Sequence, residues 1–246
     1  MLTGMSTLRY RGTRHQGTRL AAGLAAAALL LSGCGGNEET TKTASPTTPR
    51  DQLLLSIEEF PEGASKIEMP ADRLQAAVTD LSGIQQNSTI TPAECGRTQQ
   101  DLGAATSELL ADSDVIAAND GAQGLMYVEF VASRAGDLAG VEESNTTCPE
   151  VTVVSTIEGK QITTVGKVET LGVPDGLNAD EALAFKSINT STVGEGKPLT
   201  TTAYQGMAVV RGVTVIVRVG ALKEGVDQST FDQVFLDAVS KVRNAD

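Results

Sequence analysis

Few residues of this chain have the types and spacing that chemistry requires. His15 is the only histidine, so catalytic triads and histidine-rich metal sites have no candidate in the rest of the sequence. The patterns H-E-x-x-H, G-x-x-x-x-G-K-[ST] and G-x-S-x-G are absent. Pairs of carboxylates remain, and two acids that meet in a cleft with raised pKa values can act as acid and base. The closely spaced pairs are Glu58 and Glu59, Asp112 and Asp114, and Glu142 and Glu143.

Each of these pairs lies in a polar stretch, which favours a solvated surface over a catalytic site. The segments Asp112-Ser113-Asp114 and Asn119-Asp120-Gly121 offer the oxygen ligands that calcium prefers, but they lack the spacing of an EF-hand loop. The second segment is more typical of a turn. The sequence therefore predicts no catalytic residue, no metal site and no cofactor.

Cys34 follows a stretch with the order of a bacterial export signal. Residues 1–19 contain four arginines and no acid, and residues 20–31 are apolar or small. Twelve residues span about 18 Å as a helix, which is too short for a membrane core of about 30 Å. Leu31, Ser32, Gly33 and Cys34 resemble the lipobox that a lipoprotein signal peptidase recognises. We expect residues 1–33 to be the signal peptide and Cys34 to carry acyl chains. The alternative is a plain signal peptide with an incidental cysteine.

The region after Cys34 indicates where the folded domain begins and which partners its charge repels. Residues 34–50 contain Gly, Thr, Ser, Pro and charged residues, and we expect a flexible tether before a single domain at 51–246. Loss of the four signal arginines lowers the formal charge from −12 to −16. Such an acidic chain repels nucleic acid and anionic headgroups. We therefore expect no nucleic-acid partner, and attachment through lipid at the outer face of the cell membrane.

The two remaining cysteines, Cys95 and Cys148, form an even set in an exported domain. The oxidising environment outside the cytoplasm favours a disulfide between them. The alternatives are a redox pair or a metal site, which two distant thiols without a histidine suit poorly. A bridge would close a loop of about 54 residues and stabilise the fold by roughly 4 kcal/mol.

Hydrophobic periodicity in residues 51–246 predicts an α+β domain. Hairpin turns at Glu158-Gly159-Lys160 and Arg211-Gly212 join pairs of strands, and a capping box begins at Ser56. We expect an antiparallel sheet with helices packed mainly on one face. The predicted strands are 65–69, 123–131, 151–157, 161–168, 183–188, 200–210 and 213–219, and the predicted helices are 72–83, 91–110, 137–143 and 228–243.

Several short motifs resemble one known family. They are Leu-Leu-Leu-Ser at 53–56, Glu-Phe-Pro at 59–61, Thr-Pro-x-Glu-Cys at 91–95, and Val-Arg-Gly-Val at 210–213. Together with the lipobox and tether they resemble uncharacterised actinobacterial lipoproteins related to the extracellular sensor domain of the PknH protein kinase. The resemblance implies an α+β domain with an open cleft for an unidentified ligand. It supplies no binding residue, and the kinase sensor has two disulfides where this chain allows one.

These observations favour a membrane-anchored, non-catalytic envelope lipoprotein that binds or senses a small molecule, a lipid or an envelope protein. The alternative is a scaffold or accessory subunit of an envelope complex. A hydrolase built on carboxylates is the least favoured reading. An apolar cleft between sheet and helix would favour ligand binding, whereas a filled core with an exposed apolar patch would favour the scaffold.

Overall fold

A computed structural model describes residues 44–68, 88–157, 159–221 and 225–246. The predicted helix 72–83 and the predicted signal and lipobox lie outside these residues. The strands are β1 (Ser65–Lys66), β2 (Thr89–Thr91), β3 (Ser113–Asp120), β4 (Leu125–Ala132), β5 (Glu150–Ile157), β6 (Lys160–Leu171), β7 (Glu181–Val193), β8 (Leu199–Val210) and β9 (Val213–Ala221). The helices are α1 (Arg50–Leu53), α2 (Ala93–Ala111), α3 (Leu138–Thr147) and α4 (Gln228–Asn244), with a short 3-10 turn at Ile57–Glu59.

These strands form one antiparallel sheet in the order β1-β3-β4-β9-β8-β7-β6-β5-β2. The chain leaves β4 through α3, reaches β5 on the far side, and returns strand by strand until β9 pairs with β4. This pairing aligns Leu125 with Ala221 and Ala132 with Thr214. The predicted α+β class with an antiparallel sheet is confirmed.

Local sequence signals explain the tightest connections. Arg211 and Gly212 both have positive φ, 52° and 81°, which is the geometry of the two-residue hairpin turn that joins β8 to β9. Ser56 and Glu59 form the predicted capping box, with the Ser56 N–H donating to Glu59 Oε2 at 2.7 Å. The predictions for both of these turns are confirmed.

Two hydrophobic clusters lie on opposite faces of the sheet. We name the side that α4 covers the first face, where Phe231, Phe235 and Val239 pack against Val215 and Val217. We name the other side the second face. There α2 and α3 supply the residues that pack on β4, β8 and β9, namely Leu109, Leu110, Leu138 and Val141. Helices therefore cover both faces, which corrects the expectation that they lie mainly on one. A central sheet with two buried faces needs a cover on each side.

Helix α4 lies very close to β8 because β8 has a glycine beneath it. A Cβ atom added at Gly206 would lie 2.7 Å from two ring carbons of Phe235, which is itself fully buried. The glycine is therefore required by close approach of the helix to the sheet.

Replacing Gly206→Ala should lower the free energy of unfolding by roughly 1–3 kcal/mol, because Phe235 must move out of its packed position. Chemical denaturation followed by circular dichroism would measure the change. Gly220→Ala is the matched control, since its added Cβ would meet Ala203 at an ordinary 3.6 Å. Equal stability of the two variants would show that Phe235 is not held tightly at this point.

The last residues of the predicted tether belong to the folded domain. The N–H of Thr47 donates to the carbonyl of Asp246 at 2.6 Å, and Arg211 Nε donates to the carbonyl of Ala44 at 2.8 Å. Arg50 opens helix α1 and binds acids of β3 and the turn before it. The ordered domain thus includes residues 44–50, seven residues before the predicted boundary at 51.

Candidate functional site

Two of the three cysteines lie among the described residues, and the third does not. Cys95 and Cys148 form the predicted disulfide, with an S–S distance of 2.02 Å and a Cα–Cα distance of 5.9 Å. It joins the first turn of α2 to the end of α3. Cys34 and its predicted recognition residues Leu31, Ser32 and Gly33 lie outside the described residues. Within the part that is described, no helix combines the length and apolarity needed to cross a membrane.

Acids from two of the carboxylate pairs bind basic side chains. Asp112 and Asp114 both bind the Arg50 guanidinium at 2.9 Å, so this pair holds the start of the domain against β3. Hydrogen bonds from Ser133 and Arg50 lower the pKa of Asp112. Glu59 pairs with Lys241 at 2.6 Å and joins the capping box to α4.

The remaining acids that the sequence singled out lie on an exposed helix surface or cap a turn. Glu142 and Glu143 are exposed on α3. Asp120 caps the turn between β3 and β4, because its carboxylate accepts the N–H groups of Ala122 and Gln123 at 2.8 and 3.0 Å. In the described ranges, no three side chains of the metal-binding types converge.

One buried acid, Glu129, lies at the centre of the first face. It is fully buried on β4, and its Oε2 accepts the N–H of Leu55 at 2.9 Å while its Oε1 has no partner. Burial raises the pKa of Glu129 to about 8, against the smaller lowering effect of the Leu55 hydrogen bond. Because Glu129 is 0% exposed, a ligand at the surface does not touch it.

Surface grooves occur on both faces. On the first face, two depressions of about 320 and 390 Å³ run along α4 and share Glu59 and Asp237. On the second face, a groove of about 190 Å³ lies between α2, α3 and β8. Leu102, Leu109 and Met207 give it apolar walls. Its volume is below the roughly 300 Å³ of a typical ligand pocket, so it can hold only part of a ligand.

Charge is distributed very unevenly on the second face. Strand register places only three charged residues among the described strand positions that point to this face, namely Lys160, Glu181 and Arg218. Lys160 and Glu181 are the first residues of their strands. Arg218 instead lies in the middle of β9, between Val128 of β4 and Gln205 of β8. A single cation thus occupies the centre of an otherwise nearly uncharged surface.

Arg218 is half-buried, and its one hydrogen bond to a described residue goes from Nη1 to Gln205 Oε1 at 3.2 Å. Burial lowers the pKa of Arg218. Among the described residues no carboxylate lies within 4 Å of its guanidinium, although six other basic side chains of the domain have ion pairs of this kind.

Small and polar residues lie on the β8 and β7 side of Arg218, whereas Val128 of β4 lies on the other side. Ala203 and Gly220 pair across β8 and β9, and Ser187 pairs with Ala203 across β7 and β8. We name Ser187, Ala203, Gln205, Arg218 and Gly220 the Arg218 patch. The sequence predicts a strand at 213–219 and indicates no role for Arg218. An arginine at an alternate position of a central strand was the signal that could have indicated the patch.

No known family and no curated protein matches the chain. Two solved mycobacterial structures are similar to it. An uncharacterised protein from Mycobacterium smegmatis, the Rv0999 ortholog, has 15% identity and a TM-score of 0.43, over 76% of this chain and 92% of that one. The extracellular domain of PknH from Mycobacterium tuberculosis has 16% identity and a TM-score of 0.44, over 80% of this chain and 97% of that one. The second of these structures is the extracellular domain of the kinase that the predicted resemblance names.

Proposed function

We propose that this chain is a cell-envelope lipoprotein, anchored through Cys34 at the outer face of the cell membrane, whose domain binds a ligand without catalysing a reaction. The lipobox supports the anchor. The ligand is a small molecule or a lipid, and an envelope protein is the other class of partner that the sequence admits. The carboxylate pairs that could have supported hydrolysis have structural partners or lie exposed, which favours binding over catalysis.

The observation that supports the binding role is that Arg218 is half-buried and has no described carboxylate beside it. Removing a guanidinium from water costs free energy, and a carboxylate partner normally offsets that cost. This chain has 31 acidic residues and 19 basic ones, yet none of the described acids lies beside Arg218. A half-buried cation without a carboxylate partner among the described residues weakens the fold, and such departures from stability are expected at functional sites.

A second observation favours the scaffold alternative. Ile157, Val193 and Leu199 are 39%, 48% and 59% exposed, and they lie at the same end of the second face on β5, β7 and β8. Exposed apolar side chains that cluster in this way are typical of protein contact surfaces. An envelope protein that binds this end would make the chain an accessory subunit.

Cys34→Ala should abolish fatty-acid labelling and release the protein from the membrane fraction. Two or more acyl chains give stable anchoring, and a chain with this net negative charge does not replace them by attraction to anionic headgroups. Metabolic labelling with a fatty acid and membrane fractionation measure both effects. The double variant Cys95→Ala/Cys148→Ala is the matched control and should keep its label. A Cys34→Ala protein that stayed equally bound to the membrane would contradict the anchor.

Native mass spectrometry tests the ligand. The full chain, extracted from its host in mild detergent, should carry a bound species that denaturation releases. Pull-down from solubilised envelope tests the scaffold alternative in parallel. Absence of both a bound species and a protein partner would contradict the proposed function.

A further inference from the structure

We propose that the Arg218 patch binds the anionic group, a carboxylate or a phosphate, of a small organic ligand. This inference rests on the proposed function, since it names the chemistry of the ligand that the domain binds.

Charge complementarity is the first argument. Arg218 is the only charged residue in the interior of the described second face, and the nearest acid on that face, Glu181, lies two strands away and four residues along the register. An anion at Arg218 therefore meets no carboxylate from the strands around it. The guanidinium is already partly removed from water, so a hydrogen bond to it is stronger than at an exposed arginine.

The arrangement of donors is the second argument. Guanidinium presents five N–H donors in a planar fork that matches the two oxygens of a carboxylate or phosphate. Only one of these hydrogen bonds is made within the described residues, to Gln205 Oε1. Because that oxygen is the acceptor, the amide nitrogen of Gln205 remains available as a donor beside Arg218. The patch thus combines a cation and a neutral donor at one place.

The space beside Arg218 is the third argument. Gly220 and Ala203 are neighbours across the strands and have no side chain beyond a methyl group. Among the described residues, an added Cβ at Gly220 would meet Ala203 and Thr202 at ordinary contact distances of 3.6 and 3.9 Å. The two small residues therefore leave the guanidinium without a bulky described side chain on this side.

The surface beyond the patch indicates the rest of the ligand. Next to Ser187, β6 and β7 present Asn189 and the hydroxyl pair of Thr164 and Ser191, whose oxygens are 2.9 Å apart. All three are partly exposed on the second face. Hydroxyl and amide groups bind hydroxyl groups by hydrogen bonding. A polar, hydroxyl-bearing molecule with one anionic group fits this surface better than a long acyl chain. The acidity of the whole chain disfavours a polyanion such as nucleic acid.

Arginine-selective nitrogen labelling of the full chain in detergent allows a direct test. Titration with inorganic phosphate and, separately, with acetate at constant ionic strength should shift the Nε–Hε resonance of Arg218 along a saturable curve. The resonance of Arg97, which is exposed on α2, is the internal control and should not saturate. A shift with one probe alone assigns the anionic class, and a shift with both supports a general oxyanion site. No saturable shift with either probe would overturn the proposal.

Arg218→Met separates binding from folding. The methionine keeps the length of the side chain without the charge, and Arg218 stabilises no acid, so the thermal midpoint should stay the same or rise. Binding of the probe that shifts Arg218 should weaken about ten- to hundredfold, as expected for the loss of charge-assisted hydrogen bonds. Arg97→Met is the matched control and should bind normally. Probe binding that survives in Arg218→Met would overturn the assignment.

Native mass spectrometry distinguishes the two levels of inference. A species retained equally by the wild-type chain and by Arg218→Met would overturn the anion assignment and leave the proposed function intact. Absence of any species and any partner in the wild-type chain would contradict the proposed function, and the Arg218 resonance would still decide the anion assignment by itself.

Discussion

Replacing Glu129→Gln should make the protein more stable near neutral pH and remove most of the fall in its stability between about pH 5 and pH 8. Glu129 is buried on β4, and its pKa is raised from 4.5 to about 8 in the folded state. Below pH 4.5 the side chain is protonated in both states. Between these pKa values the unfolded chain releases the proton and the folded chain retains it, so stability falls as pH rises. Above about pH 8 both states are ionised and this contribution is constant.

The size of the effect follows from the interval between the two pKa values. Each pH unit within that interval lowers the free energy of unfolding by up to about 1.4 kcal/mol. At pH 7 the accumulated loss is roughly 3 kcal/mol. Glutamine avoids this cost because it is neutral at all pH values. Its side-chain oxygen can still accept the N–H of Leu55, which keeps that buried donor satisfied.

Urea denaturation of both proteins at several pH values measures this difference. Glu181→Gln is the matched control, since Glu181 is exposed at the start of β7 and should leave the pH profile unchanged. An unchanged profile in Glu129→Gln, or a variant less stable than wild type at pH 8, would contradict the burial of a protonated acid.

Removing the disulfide with Cys95→Ala/Cys148→Ala should lower the free energy of unfolding by about 4 kcal/mol. The bridge spans a sequence separation of 53 residues, and a closed loop of that length restricts the unfolded chain by this amount. Both cysteines are buried, 2% and 4% exposed, so lost packing adds to the effect.

Denaturation with and without reductant provides the measurement. Reductant should lower the stability of the wild-type chain and of Cys34→Ala to the same extent, and should not affect the double variant. We expect the structure to loosen most at the start of α2 and the end of α3, which the bridge joins. A double variant as stable as the oxidised wild type would show that these helices stay in place without the bridge.

Much of the fold could be predicted because its signals are local. The capping box at Ser56, the Arg211-Gly212 hairpin and the apolar period of α4 depend on neighbouring residues, and all three appear as expected. Strand β3 was missed, because its sequence has aspartates at 114 and 120 that suggested a surface loop. In the structure one of them binds Arg50 and the other caps a turn, and these roles need partners from elsewhere in the chain.

The candidate site could not be predicted for a similar reason. The sequence shows that Arg218 alternates with buried valines, and so predicts the face on which it lies. Arg218 is a candidate binding residue because no described acid lies beside it. That fact becomes visible only when the register of β4, β9 and β8 is known. That register joins strands separated by about ninety residues in the chain. Long-range pairing of this kind has no local signal.

Residues 44–48 meet Asp246 at one end of the domain. If the chain is anchored as proposed, this end determines which parts of the protein reagents outside the cell can reach. A fluorescent label fused after Asp246 would lie next to the point at which the chain enters the domain, on the side of the proposed anchor. Strand β8 runs from Leu199 to Val210, about 36 Å at the rise of an extended strand, so Leu199 lies at the far end from that label. Antibodies or impermeant reagents directed at Leu199 and its neighbours should therefore reach intact cells most readily.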